Sequence, residues 1–433
     1  MSPSRKTPPQ PSAFTYSTDK RGQGSLLCDQ IPLTRLAERF GTPLYVYSAS
    51  EILRRYRAFD DAFQPIPHTI CYSVKANSNL AILRLLAKQN CGFDVVSGGE
   101  LQRVVQVNRS AARNVVFSGV GKTVVEIQAA LKAGILLFNV ESQSELRTLA
   151  ECAEKLKLVA PIALRVNPDV PAETHPYIST GLREHKFGVP LAEAYRLYGQ
   201  AAESKWLHVA GVSVHIGSQI TDVKPFSAAM ERVAEVVLDL RAQGHKIKYV
   251  DAGGGLGISY IARSSDDFAH AVSTYARSVM KSLRGLNIHL LLEPGRSIVG
   301  PAGALITRII YRKRNGQKNF LVVDAAMNDL IRPALYQAHH EIVPVQRDHS
   351  LGTQTTDVVG PVCETGDFFA RDREMPEVNE GDLLAILDAG AYGMSLSSNY
   401  NSRPRPAEVL VQGKTATVIR KRETFRDLIR GEG

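Results

Sequence analysis

The sequence lacks any apolar run long enough to cross a membrane. Residues 288–292 and 302–306 are among its longest apolar stretches, whereas a spanning helix needs about 20 such residues. The first twelve residues, MSPSRKTPPQPS, are rich in proline and serine, and no apolar core of a secretory signal follows them. We therefore expect no membrane association. We interpret residues 1–13 as a mobile tail, with a cleaved transit peptide as the alternative.

Cysteine is scarce, and its spacing argues against two structural classes. The cysteines are odd in number and include no CxxC pair, which disfavours both a disulfide framework and a zinc site. We therefore expect no bound metal, and we expect a reducing, cytoplasmic environment. The five cysteines are Cys28, Cys71, Cys91, Cys152 and Cys363.

A concentrated basic patch is also missing, although the formal net charge is +9. The basic residues are dispersed among the tail, the run 312–314 and the last residues of the chain, without interleaved aromatic residues. This distribution is typical of a solvated surface and not of a nucleic-acid-binding face. A modest positive field still favours anionic ligands. With 433 residues, of which 44% are hydrophobic, the chain is expected to fold into two domains.

Between Tyr45 and Arg296 the sequence alternates short β-type runs with segments of helical period, such as residues 80–89, 124–134 and 227–243. This alternation is the pattern of βα units around a parallel sheet. Eight such units predict an α/β fold, a (β/α)8 TIM barrel, which we place at residues 41–301. The eight strand-like runs are HTICYSV (68–74), FDVVS (93–97), NVVFSG (114–119), LLFNV (136–140), IALRVN (162–167), VAGVSVHIG (209–217), KYVDAG (248–253) and IHLLLE (288–293).

The residues with reactive side chains cluster where such a barrel has its active site, at the C-terminal ends of the strands. In chain order they are Lys75 after the first strand, Asp94 in the second, His215 and Ser218 at the end of the sixth, the glycines 253–255 after the seventh, and residues 293–296 after the eighth. The polar, glycine-bearing segment 175–188 follows the fifth strand, and we interpret it as a lid.

Beyond about Pro301 the helical period gives way to β-type runs. Asn315-Gly316 separates two of these runs and predicts a hairpin, and a second turn falls at residues 412–414. The C-terminal third is therefore predicted to be a second, mainly β domain of residues 302–433, to which we also assign residues 14–40.

Three short motifs carry the chemistry. Lys75, in YSVKANSN, follows an apolar strand, where a desolvated amine can lose its proton and attack an aldehyde; an ion-paired surface lysine is the alternative. The glycines of DAGGGLGISY expose backbone N–H groups that can approach a phosphate, although a plain tight turn also fits. The residue at position 258 is Ile258, so the dinucleotide fingerprint GxGxxG is absent.

The third motif, EPGR, places Glu293 at the barrel rim and a guanidinium three residues later. A buried glutamate needs a cationic partner, and a pyridinium nitrogen or the neighbouring arginine would each supply one. His215, in HIGSQ, has a position that suits stacking on a flat cofactor, with an ordinary core histidine as the alternative.

These motifs, in this order, resemble the fold-type III pyridoxal-phosphate decarboxylases, which include ornithine, arginine and diaminopimelate decarboxylases. The resemblance covers nearly the whole chain beyond the tail, and it implies pyridoxal 5'-phosphate as the cofactor. It also implies that Lys75 binds the cofactor as a Schiff base, that His215 stacks on the ring, and that Glu293 pairs with the ring nitrogen. The remaining cofactor-binding residues that it implies are Asp94, Ser218, Gly255, Pro294, Gly295, Arg296 and Tyr392.

Three runs beyond the barrel resemble the diaminopimelate-decarboxylating branch of this family: MNDLIRPALYQAHHEI, GPVCETGDFFARDREMP and AGAYGMSLSSNYNSRPRPAEVL. They imply conversion of meso-diaminopimelate to L-lysine and carbon dioxide. The substrate-binding residues that this resemblance implies are Arg296, Arg332 and Tyr336 for the distal carboxylate, Glu364 for the distal ammonium, and Tyr392. Ornithine has no distal carboxylate, and buried guanidiniums without a partner would be costly.

The same resemblance implies that Cys363 donates a proton after carbon dioxide leaves, since a thiol titrates near neutrality. It further implies a homodimer with shared active sites. Three alternatives remain open: a related decarboxylase of ornithine, arginine or carboxynorspermidine, an inactive homologue that regulates a decarboxylase, and a nucleotide-binding barrel without pyridoxal phosphate.

Overall fold

The chain forms two compact units. The structure, a computed structural model, describes residues 13–18, 24–170, 186–260, 265–347 and 352–433. One unit, here called the barrel unit, comprises residues 55–258 and 271–297; the β unit comprises residues 1–54, 259–270 and 298–433. Residues 1–12 of the predicted tail and 175–185 of the predicted lid lie outside the described residues.

The elements that precede the barrel are β1 (Phe14–Thr18), β2 (Gly24–Cys28), β3 (Ile31–Pro32), α1 (Leu33–Phe40), β4 (Leu44–Ser48) and α2 (Ala49–Phe63). The barrel region then contains β5 (His68–Ser73), α3 (Leu80–Ala87), β6 (Gly92–Val95), α4 (Gly98–Val107), β7 (Val115–Phe117), α5 (Val124–Ala133), β8 (Leu137–Val140), α6 (Gln143–Leu156), β9 (Ala160–Asn167), β10 (Val189–Pro190), α7 (Leu191–Glu203), β11 (Leu207–Ser213), α8 (Lys224–Ala242), β12 (Tyr249–Asp251), α9 (Ser265–Met280) and β13 (His289–Leu292).

The elements after the barrel are α10 (Arg296–Val299), β14 (Gly303–Asn315), β15 (Lys318–Val323), α11 (Arg332–Tyr336), β16 (Ile342–Pro344), β17 (Gln346–Arg347), β18 (Thr353–Val359), β19 (Phe368–Pro376), β20 (Leu383–Ile386), β21 (Ala407–Gln412), β22 (Thr415–Arg420) and α12 (Phe425–Leu428). No helix in the described ranges is both long enough and apolar enough to span a bilayer.

The predicted barrel is confirmed. The parallel strands run in the order β5-β6-β7-β8-β9-β11-β12-β13, and β13 pairs with β5 to close the ring. All eight sequence-predicted strands are present, and the three helical segments appear as α3, α5 and α8. The sixth strand ends at Ser213, so His215 lies two residues beyond it and not in the strand itself.

Side chains inside the barrel form layers, because alternate residues of a strand point to the same face. One layer is apolar and consists of Cys71, Val116, Leu137, Ala163, Ala210 and Leu291. Nearer the C-terminal ends of the strands lies a set of buried polar residues, here called the polar layer. Its members are Ser73, Asp94, Ser118, Asn139, Ser213, Asp251 and Glu293.

The β unit is built on a mainly antiparallel sheet in the order β19-β18-β15-β14-β4-β21-β22, with β20 paired to β14 and β16. Both predicted hairpins are confirmed: β14 pairs with β15 across Gly316 at φ +58°, and β21 pairs with β22 across Gly413 at φ +59°. Glycine suits these turns because it adopts a positive φ without a steric penalty.

The start of the chain also contributes to the β unit. Strand β1 pairs with β2, and β2 pairs with β17. Strand β4 lies within the range 41–301 that the sequence assigned to the barrel, but it pairs with β14 and β21 instead. Its residues, LYVYS, are all buried, so this uniform burial fits a central strand of either kind of sheet.

Candidate active site

Lys75 lies just beyond β5, in the short turn Val74–Ala76. Its amine donates a hydrogen bond of 2.6 Å to Asp94 Oδ2, and Ser73 Oγ donates to the same oxygen at 2.8 Å. The Lys75 side chain is 36% exposed, whereas that of Asp94 is 0% exposed. Lys75 is therefore ion-paired, as the alternative interpretation of the sequence expected. Its partner, however, is a carboxylate inside the barrel and not at the surface.

The glycine loop after β12 is packed too tightly to accept side chains. A Cβ on Gly254 would lie 2.3 Å from the carbonyl oxygen of Glu293, and one on Gly253 would lie 2.6 Å from that of Val214. Hydrogen bonds fix the same arrangement: Glu293 N–H donates to Gly253 O at 2.8 Å, and Ile220 N–H donates to Gly255 O at 2.9 Å. The loop thus joins the segment 214–220, which contains His215 and Ser218, to the start of EPGR.

The EPGR turn, residues 293–296, packs against the end of β5 at the barrel rim. Ser73 N–H donates to Pro294 O at 3.1 Å, and a Cβ on Gly295 would lie 2.9 Å from Ser73 Cβ. Arg296, the first residue of α10, is buried. The predicted residues of the barrel unit therefore converge from the ends of the first, second, sixth, seventh and eighth strands.

Burial sets the protonation of two of these residues. It lowers the pKa of His215 well below its ordinary value, and the charges of Arg165 and Lys75 lower it further. Burial raises the pKa of Glu293 well above its ordinary value, and the nearby carboxylates Asp251 and Asp94 add to this shift. His215 thus presents a neutral ring, and Glu293 holds a proton unless a cation approaches it.

Arg332, in the β unit, is only 5% exposed, and two side chains contact its guanidinium. Its Nη1 lies 2.9 Å from His340 Nε2, and its guanidinium stacks over the Tyr260 ring at 5.2 Å. His340 Nδ1 lies 2.8 Å from the carbonyl oxygen of Leu387, so Nδ1 is the donor and Nε2 accepts from the arginine. Tyr336 ends the same helix, α11.

Cys363 and Glu364 lie in the connection between β18 and β19. Both are exposed; Cys363 N–H donates to Asn401 Oδ1 at 3.3 Å, and Tyr400 Oη donates to Glu364 at 2.9 Å. The buried Asp367 carboxylate fixes the turn by accepting from Val362 N–H at 2.7 Å.

Tyr392, elsewhere in the β unit, has a φ of +57°. A bulky residue adopts this conformation at a cost, and such outliers cluster at functional sites.

Within the described residues, no group of three or more His, Cys, Asp or Glu side chains is arranged to hold a metal ion.

Residues 49–300 match the family described as "Pyridoxal-dependent decarboxylase, pyridoxal binding domain". The chain belongs to the pyridoxal-dependent decarboxylases.

Known relatives of this decarboxylase match nearly the whole chain. It is 50% identical over 407 residues to the diaminopimelate decarboxylase of Pseudomonas aeruginosa, covering 94% of this chain and 96% of the relative. Among solved structures, the diaminopimelate decarboxylase of Helicobacter pylori complexed with L-lysine is 43% identical, with a TM-score of 0.87 over 92% of this chain and 98% of that one. The enzyme of M. jannaschii in co-complex with L-lysine is 39% identical, with a TM-score of 0.89 over 96% and 97% of the two chains.

The residues of this decarboxylase fit pyridoxal phosphate. The amine of Lys75 stands at the barrel rim, the glycine loop presents backbone without side chains, and the buried Glu293 carboxyl, whose pKa is raised, can share a proton with a basic nitrogen. These groups match the aldehyde, the phosphate and the pyridine nitrogen of the cofactor respectively.

Sequence reasoning missed the partners of the predicted residues. Ser118, Asn139 and Asp251 form hydrogen bonds within the polar layer, and His340 holds Arg332. The available signal was a polar residue at an inward position of an apolar strand, as Asn139 is in LFNV. Buried polar groups of this kind need partners, and they mark a network.

A single methyl group in the glycine loop should weaken cofactor binding. We expect Gly254→Ala to raise the dissociation constant of pyridoxal phosphate at least about tenfold, because the new Cβ must displace the backbone of Glu293. Gly121→Ala is the matched control, since a Cβ there meets nothing within 4 Å. Fluorescence titration of the cofactor-free proteins measures the effect, and wild-type affinity in a folded Gly254→Ala protein would contradict the expectation.

Proposed function

We propose that this chain decarboxylates meso-2,6-diaminopimelate to L-lysine and carbon dioxide, the last step of lysine biosynthesis, with pyridoxal phosphate as cofactor. The observation that carries this proposal is the 50% identity to a diaminopimelate decarboxylase over 94% of the chain, which includes the β unit as well as the barrel. Two solved relatives of that name bind L-lysine, the product of the proposed reaction. These relatives favour diaminopimelate over ornithine, arginine or carboxynorspermidine.

The β unit supplies the substrate selectivity in this proposal. Arg332, with Arg296 and Tyr336, binds the distal carboxylate, and Glu364 accepts the distal ammonium. The stacking of Tyr260 and the acceptor at His340 Nε2 hold the Arg332 guanidinium in one orientation. A planar, fixed guanidinium matches a carboxylate and has no partner in a diamine precursor.

The barrel residues carry the chemistry. When bound, pyridoxal phosphate supplies an electron sink for the carbanion that decarboxylation leaves at Cα. Lys75 anchors the cofactor aldehyde, and Asp94 orients the lysine amine through the bond at 2.6 Å. Glu293 holds a proton at the ring nitrogen, and the neutral His215 ring packs against the cofactor face. The proposed phosphate contacts are Ser218, Gly255, Gly295, Arg296 and Tyr392, with Pro294 shaping the turn.

Cys363 completes the reaction by protonating Cα from its thiol. The exposure of Cys363 and Glu364 in a single chain supports a homodimer in which these residues reach the partner's site. We place the enzyme in the cytoplasm, since its described cysteines are free thiols. We also propose a cofactor-binding barrel domain within residues 41–301, from which β4 is excluded because it pairs with β14 and β21, and a β domain that includes residues 14–40 and 302–433.

Release of carbon dioxide and lysine from meso-diaminopimelate tests the proposed function directly. The purified protein with added pyridoxal phosphate should turn over diaminopimelate, and ornithine and arginine should react poorly or not at all. Turnover of a diamine precursor in preference to diaminopimelate would overturn the substrate assignment. A protein that lacks the absorbance band of bound pyridoxal phosphate would overturn the cofactor assignment.

Shared active sites make a second prediction about two inactive variants. Lys75→Ala and Cys363→Ala should each lose activity as homodimers, but a mixed dimer contains one site with both wild-type residues. Equal mixing gives half mixed dimers with one intact site of two, so about one quarter of wild-type activity should return. In the control, each parent homodimer is covalently crosslinked before mixing, so that subunits cannot exchange. If the mixture of freely exchanging dimers recovers no activity, shared sites are contradicted.

A further inference from the structure

The polar layer contains three buried carboxyl groups, of Asp94, Asp251 and Glu293, each at most 7% exposed. Lys75 is the cation whose charge lowers the pKa of Glu293, and its amine is bonded to Asp94. In the described part of the barrel interior, none of the ion pairs includes Asp251 or Glu293. Two adjacent buried carboxyl groups cannot both ionise without a cation, so one proton must remain between them.

The hydrogen bonds decide which residue carries this proton. Asp251 accepts three: from Asn139 Nδ2 at 2.5 Å, from Ser213 Oγ at 3.3 Å and from Gly253 N–H at 2.9 Å. Three donors favour the ionised form of a carboxyl.

Glu293 accepts a hydrogen bond from Ser118 Oγ at 3.1 Å, and the same hydroxyl accepts from Asn139 Nδ2 at 3.1 Å. Ser118 and Asn139 thus connect the two carboxyl groups, and Asp251 is one of the groups that raise the pKa of Glu293. With fewer donors than Asp251, Glu293 is the site where the proton rests.

We propose that Asp251 is a positioning residue for the cofactor: it shares one proton with Glu293 and keeps that proton in place for the ring nitrogen. When the nitrogen approaches, the proton moves from the Glu293 carboxyl to the nitrogen, which leaves a pyridinium and a Glu293 carboxylate. The negative charge of Asp251 behind Glu293 then opposes loss of the proton to solvent. Asn139 links the two carboxyl groups by donating one N–H to Asp251 and the other toward Ser118.

Four other titratable groups interact electrostatically with Asp251 or Glu293: Asp94, Lys75, Cys71 and Tyr275. Asp94 and Lys75 neutralise each other through their bond. Burial raises the pKa of both Cys71 and Tyr275, so these two groups remain neutral at the pH of the experiments. The shared proton therefore rests on the two carboxyl groups and not on their neighbours.

Infrared spectroscopy of the cofactor-free enzyme tests the shared proton by itself. A pH of about 8 is suitable, because it exceeds the pKa of about 7 that burial gives Glu100 and Asp329. The wild-type protein should show a protonated-carboxyl band that is absent from Glu293→Gln and that is lost at a lower pH in Asp251→Asn, where burial still raises the pKa of Glu293 but the charge of Asp251 no longer does. A wild-type spectrum without this band, or a band that persists in Asp251→Asn to the same pH as in wild type, would overturn the proposal.

Calorimetry of cofactor binding in buffers of different ionisation enthalpy tests the destination of the proton. At a pH at which the infrared band is present in wild type but lost from Asp251→Asn, wild-type enzyme supplies the ring-nitrogen proton from Glu293, whereas the variant must take it from solvent, so the proton uptake of the variant should be greater by about one. Ser213→Ala is the matched control: it removes one donor to Asp251 but no charge, and it should keep the wild-type uptake. Equal uptake by wild type and Asp251→Asn would contradict the proposal.

A second variant covers the case in which Asp251→Asn does not fold. Asn139→Ser keeps both carboxyl groups but removes the amide that donates to Asp251, so the protonated-carboxyl band should survive to higher pH than in wild type. A band lost at the same or lower pH would overturn the proposal. The inference rests on the proposed role of Glu293, but the infrared result is independent of substrate turnover and distinguishes the two.

Discussion

Replacement of Lys75 by alanine should abolish turnover, with kcat reduced roughly a thousandfold or more. Lys75 is the amine at the barrel rim, and its loss also leaves the fully buried Asp94 without its cation. The absorbance band that the covalently bound cofactor gives at visible wavelengths should disappear, while added pyridoxal phosphate should still bind weakly in the glycine loop. Steady-state kinetics and absorbance spectra of the purified variant measure both effects.

Two control variants separate the covalent role of Lys75 from its charge. Lys75→Arg preserves a cation beside Asp94 but cannot form a Schiff base at neutral pH, because a guanidinium does not lose its proton. It should therefore be as inactive as Lys75→Ala but more stable to heat. Lys132→Ala, on an exposed position of α5, should retain wild-type kinetics. Substantial activity in Lys75→Arg would show that the lysine acts through its charge alone.

The barrel was predictable from sequence because its pattern repeats. Each βα unit changes hydrophobic period from 2 to 3.6, and eight repeats leave few alternative folds. The positions of Lys75, Glu293 and the glycine loop followed from the same count, since the strand ends of a closed barrel meet at one rim. These residues do converge in the structure, through bonds such as Glu293 N–H to Gly253 O at 2.8 Å.

The partners were not predictable because they depend on which residues share a layer. Asn139 and Asp251 are 112 positions apart, and only closure of the barrel brings the amide within 2.5 Å of the carboxylate. Strand β4 illustrates the same limit: a fully buried five-residue strand can pair in a parallel or an antiparallel sheet, and its neighbours β14 and β21 are far away in sequence. Long-range pairing decides both cases.

Replacement of Arg332 by leucine should reduce kcat/KM for diaminopimelate roughly 30-fold to several thousandfold. This reduction corresponds to a loss of about 2–5 kcal/mol in the binding free energy of the transition state. Arg332 is 5% exposed, and its guanidinium is held between Tyr260 and His340, so its loss leaves the distal carboxylate desolvated without a partner. We expect the effect mainly in KM, because the distal group lies away from the bond that breaks. Any residual turnover of ornithine, which lacks the distal carboxylate, should not fall further.

His340 provides the matched test of this assignment. His340→Leu removes the acceptor that lies 2.9 Å from Arg332 Nη1, so it should reproduce part of the KM increase, about tenfold. His340→Gln offers a side-chain oxygen to the same guanidinium and should recover most of the loss. A purely structural role would lower the melting temperature of both variants without this split between them. An Arg332→Leu enzyme with unchanged KM for diaminopimelate would remove Arg332 from the substrate site, and selectivity would then have to come from Arg296 and Tyr336.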